Sequence, residues 1–141
     1  MKTSARNQFS GKVVALQCGA VNDEVTLRTD AGQEIVAVIT HASTVNLGLR
    51  EGSDAVALIK ASSVIVMVDA DASKVSTRNV IVGKVSRVET GAVNSEVEIA
   101  TDSGAVIAAI VTNESVRRLG LTAGRVAAAL VKASSVILAV A

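Results

Sequence analysis

Polar and apolar residues alternate along Glu24-Val25-Thr26-Leu27-Arg28-Thr29, the period-two pattern of a strand with one buried face. Val13-Val14-Ala15-Leu16, after Gly11, reads as its hairpin partner across the loop Gly19-Ala20-Val21-Asn22. Asp30-Ala31-Gly32-Gln33 is turn chemistry, and Glu34-Ile35-Val36-Ala37-Val38-Ile39 is a third, β-branched strand. The pattern then changes. The stretch from Thr40 to Gly48 opens on an N-cap residue and closes on a glycine, which predicts a two-turn helix. Residues 55–60 and 63–68 return to strand character, separated by Ala61-Ser62.

This order of elements occurs twice. Displaced by 72 residues, positions 4–68 lie over 76–140 without a gap, and 33 of the 65 aligned positions are identical. GAVNDEV at 19–25 returns as GAVNSEV at 91–97, and Lys60-Ala61-Ser62-Ser63 returns as Lys132-Ala133-Ser134-Ser135. The chain therefore reads as two domains of one fold, 1–70 and 71–141, joined through the polar stretch Asp69 to Lys74. A long period repeated only twice does not describe a solenoid. Five strands with a short helix between the third and fourth is the order of an OB-like barrel, so the expected class is all-β, with two tandem five-stranded barrels.

Composition sharpens that picture. Half of the 141 residues are hydrophobic, yet Phe9 is the one aromatic and proline is absent, so the core must be built from Val, Ala, Ile and Leu. A unit of about 65 residues buries roughly 60% of its unfolded surface and is marginal alone. Burial against other units or chains is expected. The formal charge of +1 comes from 14 basic and 13 acidic residues scattered along the chain, which does not favour nucleic acid. Single-strand recognition by OB folds also uses stacking aromatics, which one Phe cannot supply. The single Cys18 rules out an intrachain disulfide, and one histidine, His41, with no second Cys or His near it in sequence, gives no usual cation site. No apolar run reaches the ~20 residues of a membrane helix. A cytoplasmic setting without membrane insertion is the expectation.

The polar positions left outside the strand pattern in both repeats are Ser4, Arg6, Asn7, Thr40, Ser43, Lys60, Ser62 and Ser63, with Ser76, Arg78, Asn79, Thr112, Ser115, Lys132, Ser134 and Ser135. All are hydrogen-bond donors, and none is a carboxylate. That set suits an oxyanion, which accepts only, and does not suit acid–base catalysis. Taken singly, the same residues also read as a helix cap, solvated lysines and a surface arginine. No pairing of nucleophile and base recurs, so no enzyme is expected.

Taken as an ordered set, Ser4-Ala5-Arg6-Asn7, the GAVN hairpin, Thr40-x-x-Ser43, Leu47-Gly48-Leu49 and Lys60-Ala61-Ser62 resemble the molybdate-binding Mop family, the molbindins, in its two-unit form. The resemblance implies an OB-like barrel, a homotrimer, and molybdate or tungstate held between units for cytoplasmic storage, with no resident cofactor and no metal cation. It implies one kind of site from Ser4, Arg6, Lys60, Ala61 and Ser62 with Thr40 and Ser43 of a neighbouring unit. The second repeat would contribute Ser76, Arg78, Lys132, Ala133 and Ser134 with Thr112 and Ser115. It further implies a second class of oxyanion site at the loops, from Ala20, Val21 and Asn22 with Ala92, Val93 and Asn94. Gly19 and Gly91 are expected to take positive φ there and to aim successive amides at an anion. The alternative for those loops is a plain hairpin turn. For the chain as a whole, the alternatives are an OB-like nucleic-acid module or a purely structural one. Two departures separate the repeats: SARN becomes STRN at residues 76–79, and His41-Ala42 becomes Asn113-Glu114, which argues against equal affinity.

Overall fold

Alternation of buried and exposed positions turns each repeat into the expected hairpins. In the computed structural model, which describes residues 1–141, β1 (Asn7–Cys18) pairs antiparallel with β2 (Asn22–Thr29), and β2 with β3 (Glu34–Thr40). Helix α1 (His41–Leu47) follows, then β4 (Asp54–Ile59) and the short β5 (Val64–Met67). The second half repeats the order with β6 (Asn79–Thr90), β7 (Asn94–Thr101), β8 (Val106–Thr112), α2 (Asn113–Leu119), β9 (Val126–Val131) and β10 (Ile137–Ala139).

The first strand starts earlier than the local pattern suggests. Gln8, Ser10 and Lys12 look like loop residues, but they point outward from a strand whose other face is buried at Asn7, Gly11 and Val13. β1 pairs with β4 through Asn7↔Ile59 and with β2 through Gly11↔Thr29, so both neighbours hold it extended. A register shift between Val13 and Ala15, repeated between Val85 and Arg87 in β6, marks a bulge that bends each long strand.

Two five-stranded sheets result, ordered β10-β4-β1-β2-β3 and β5-β9-β6-β7-β8. Each is curled into a half-barrel, with its two edge strands, β10 and β3 or β5 and β8, approaching one another. The fifth strand of each sheet comes from the other repeat. β5 pairs with β9, with Val64 opposite Val131, and β10 pairs with β4, with Ile137 opposite Leu58. One compact unit is therefore residues 1–59 with 132–141, and the other is residues 60–131. Their cores are aliphatic, as the composition requires: Val13, Val25, Leu27, Ile35 and Ile59 in the first unit, Val85, Val97, Ile99, Ile107 and Val131 in the second.

Both helices are closed as anticipated. Thr40 has extended backbone angles, and its side-chain oxygen accepts from the Ser43 amide, while Gly48 adopts the left-handed conformation at φ 63°. Thr112, Ser115 and Gly120 repeat this arrangement. Thr40→Ala and Thr112→Ala are each expected to cost about 1 kcal/mol, as loss of an N-cap does, read as a shift in the urea midpoint without a change in slope.

Candidate anion-binding site

The strand registers bring Arg6 beside Lys60 and Arg78 beside Lys132 at the start of each long strand, whereas Thr40 and Thr112 lie opposite Asn22 and Asn94 at the hairpin-loop end. Because Asn7 lies opposite Ile59, Arg6 and Lys60 are the next residues outward on the antiparallel strands β1 and β4. Asn79 opposite Val131 does the same for Arg78 and Lys132 on β6 and β9. Asn7 and Asn79 are buried, whereas Ser4, Arg6, Lys60, Ser62, Ser76, Arg78, Lys132 and Ser134 are exposed. Residues 61–63 and 133–135 form single 3-10 turns, which expose the hydroxyls of Ser62 and Ser134. Lys60 and Lys132 stay outside the ion pairs of the chain, such as Lys12–Asp54, Arg28–Glu34 and Arg87–Glu89, and keep their charge available to a ligand.

The exchange of end strands decides which donors share a unit. The turn at 133–135 packs on β3, the strand that ends at Thr40, and the turn at 61–63 packs on β8, which ends at Thr112. Lys132, Ala133 and Ser134 thus belong to the unit containing Thr40 and Ser43, and Lys60, Ala61 and Ser62 to the unit containing Thr112 and Ser115. The hydroxyl oxygens of Thr40 and Ser43 lie 2.8 Å apart, and those of Thr112 and Ser115 2.9 Å. The STRN variation has a local cause: the Thr77 hydroxyl donates to the Val131 carbonyl at 2.7 Å, a bond that Ala5 cannot make.

The GAVN loops differ from expectation. Neither Gly19 nor Gly91 has positive φ. Glycine is needed instead because a Cβ at Gly19 would stand 2.4 Å from the Asn22 carbonyl oxygen, and one at Gly91 2.6 Å from that of Asn94. Their amides are also committed within the loop, Gly19 donating to the Asp23 carboxylate at 3.0 Å and Gly91 to the Asn94 carbonyl at 2.9 Å. An oxyanion there must rely on other donors of residues 20–22 and 92–94. These residues are exposed, with Val21 and Val93 more than 70% accessible.

Beside the first loop lies a group that sequence spacing did not single out. Asp23 is buried, and His41 Nδ1 is 2.9 Å from its Oδ2. The Thr44 hydroxyl, the Gly19 amide and His41 hold the Asp23 carboxyl below its usual range against the opposing cost of burial. Cys18, opposite Asp23 in the β1–β2 register, completes a cluster whose ligand atoms all lie within 4.8 Å of one another. The signal in the sequence was a difference between repeats. Cys18, Asp23, His41 and Thr44 align with Thr90, Ser95, Asn113 and Val116, so four departures converge on one place.

Comparison with known proteins bears on both the fold and the donors. A model of the TOBE domain matches residues 3–66 and again 75–138. The molybdenum transport protein ModE of Azotobacter vinelandii is 48% identical over 140 residues, which cover 99% of this chain and 52% of that protein. The molybdenum-pterin-binding protein MopA of Rhodobacter capsulatus is 40% identical over 139 residues, again 99% of this chain and 52% of that protein. The chain thus spans about half the length of these curated relatives. A crystal structure of the cytoplasmic molybdate-binding protein ModG with molybdate bound superposes with a TM-score of 0.94 at 46% identity, covering all of both chains.

Proposed function

The chain belongs to the TOBE-domain family as a tandem pair of Mop-type units, and from that premise we propose that it binds molybdate as a cytoplasmic storage or buffering protein. The observation that carries this reading is the whole-length likeness to molybdate-bound ModG, combined with a repeated donor set that contains no carboxylate. The names of two of these relatives describe binding, of molybdenum-pterin by MopA and of molybdate by ModG.

In this reading one kind of site draws on Ser4 and Arg6 with Lys60, Ala61 and Ser62, and takes Thr40 and Ser43 from a neighbouring copy of the chain. The other draws on Ser76, Arg78, Lys132, Ala133 and Ser134 with Thr112 and Ser115. Three copies of the chain assemble and share these sites. Molybdate is a fully deprotonated tetrahedral dianion at neutral pH, so donors alone satisfy it. Phosphate retains a proton that such a shell leaves unpaired. Sulfate is excluded by size, and tungstate, nearly identical in size and charge, is accepted. Calorimetry with the four anions, paired with sedimentation equilibrium, tests the proposal. Molybdate and tungstate should bind to a trimer far more tightly than sulfate or phosphate, and a monomer that binds none of them sinks it.

The loops form a second class of site through Ala20, Val21, Asn22, Ala92, Val93 and Asn94. With both glycines kept, changing Asn22 and Asn94 together to alanine should lower the number of molybdates per trimer more than it weakens the remaining sites. Equal stoichiometry in wild type and double variant would leave GAVN as a turn.

A further inference from the structure

Cys18, Asp23 and His41 come from three different places, the end of β1, the start of β2 and the first residue of α1, and the hairpin register brings them together. Their sulfur, carboxylate oxygen and ring nitrogen lie within 4.8 Å of one another. We propose that these three side chains form a binding site for a borderline-soft divalent cation of the zinc class, present in the first repeat and absent from the second. The donor set is a mixed S, O, N set of the kind zinc accepts, and three protein ligands leave a fourth position for water.

Geometry supports the assignment. Around a tetrahedral ion with bonds of ~2.0–2.3 Å, ligand atoms stand roughly 3.3–3.8 Å apart, so the cluster must contract by about 1 Å at its widest, while the His41–Asp23 pair, now at 2.9 Å, opens by a few tenths of an ångström. Asp23 is the fixed member, since its Oδ1 accepts the Gly19 amide at 3.0 Å and its side chain is inaccessible. Cys18 and His41 are exposed and are the members free to adjust, Cys18 by swinging inward and His41 by easing away from Asp23. Asp23 is a buried carboxylate next to a half-exposed imidazole, and a divalent cation compensates that charge where neutral hydrogen bonds do so only in part. On binding, the Cys18 thiol transfers its proton to water and ligates as thiolate, while Asp23 ligates as carboxylate and His41 through a ring nitrogen.

The second repeat shows that the fold itself does not demand these three residues. There the Ser95 hydroxyl donates to the Asn113 side-chain oxygen, and the Asn113 amide donates to the Gly91 carbonyl at 2.9 Å. Neutral groups thus tie the helix start to the loop, with Thr90 in the place of Cys18. A purely structural role for the first cluster would be met by the same neutral set.

The test uses the full chain, titrated with Zn2+ alone by calorimetry and with Co2+ alone by absorption. One ion per chain is expected, with thiolate-to-cobalt charge transfer in the near ultraviolet, and Zn2+ should slow alkylation of Cys18. Cys18→Ser and His41→Asn should each weaken binding about tenfold or more. The triple variant Cys18→Thr, Asp23→Ser, His41→Asn copies the second repeat, so circular dichroism should report an intact fold while stoichiometric binding disappears. The proposal is overturned if wild type shows no saturable binding at one ion per chain, if cobalt binds without charge transfer, or if the triple variant binds like wild type. Molybdate binding measured on the same samples separates this outcome from failure of the oxyanion reading.

Discussion

Gly11→Ala is expected to destroy the first sheet, and Gly83→Ala the second. A Cβ on Gly11 would lie 2.1 Å from the Arg28 carbonyl oxygen and 2.8 Å from the Thr29 Cα, and on Gly83 2.3 Å from the Ala100 carbonyl oxygen. These are backbone atoms, so no rotamer relieves the overlap. Nor is the strand free to retreat, because Gly11 faces Thr29 on one side and Ala55 on the other. The cost should exceed roughly 4 kcal/mol, in the range reserved for severe core faults and comparable with the whole stability of a small domain. Gly32→Ala is the contrasting control: its φ of 92° is unfavourable for alanine, but open space surrounds it, and about 1–2 kcal/mol is expected. Urea unfolding followed by circular dichroism distinguishes these cases. A Gly11→Ala chain with a wild-type midpoint would contradict the close approach.

Simultaneous Lys60→Ala and Lys132→Ala should remove most molybdate affinity while leaving the fold intact. Both lysines are exposed and neither supports the core, so unfolding should be unchanged. A hydrogen bond from a charged donor contributes roughly 1.5–3 kcal/mol net. Each site should therefore weaken by about tenfold or more, since ~1.4 kcal/mol is a factor of ten. Calorimetry on the assembled protein is the measurement. Wild-type affinity in an intact double variant would make these lysines solvated charges and return the oxyanion sites to other residues.

Much of this architecture was legible because it is local or repeated. The cap at Thr40, the left-handed Gly48 and the β2–β3 alternation each depend on a few neighbouring residues, and the sequence exposes all of them. The start of β1 at Asn7 was hidden, since Gln8, Ser10 and Lys12 are extended only because β2 and β4 hold them. The exchange of fifth strands was hidden for another reason. Leu58 and Leu130 are the same residue in equivalent strands, so Ile65 opposite Leu130 is locally the same pairing as Ile65 opposite Leu58. Nothing in a strand's own composition chooses between them. The roles of Gly19 and Gly91 were misread because close approach and positive φ both call for glycine, and only the backbone distinguishes them. Among candidate donors, the pairing of Thr40 with Ser43 could be read from helix spacing. The meeting of Cys18, Asp23 and His41 needed the cross-strand register as well.

Exchange of the end strands also sets an order on synthesis. β4 ends at Ile59, but the strand that completes its sheet begins at Ile137, 78 residues later. At ~5–20 residues per second, the first sheet waits roughly 4–16 s on the ribosome with the β4 edge open, long compared with the microseconds in which a hairpin forms. During that interval β5, already made, offers a competing partner, its Val64-Ile65 start matching Val136-Ile137 at β10. Release of β5 to β9 thus has to precede correct closure, and slow elongation between residues 60 and 126 should favour the unexchanged form.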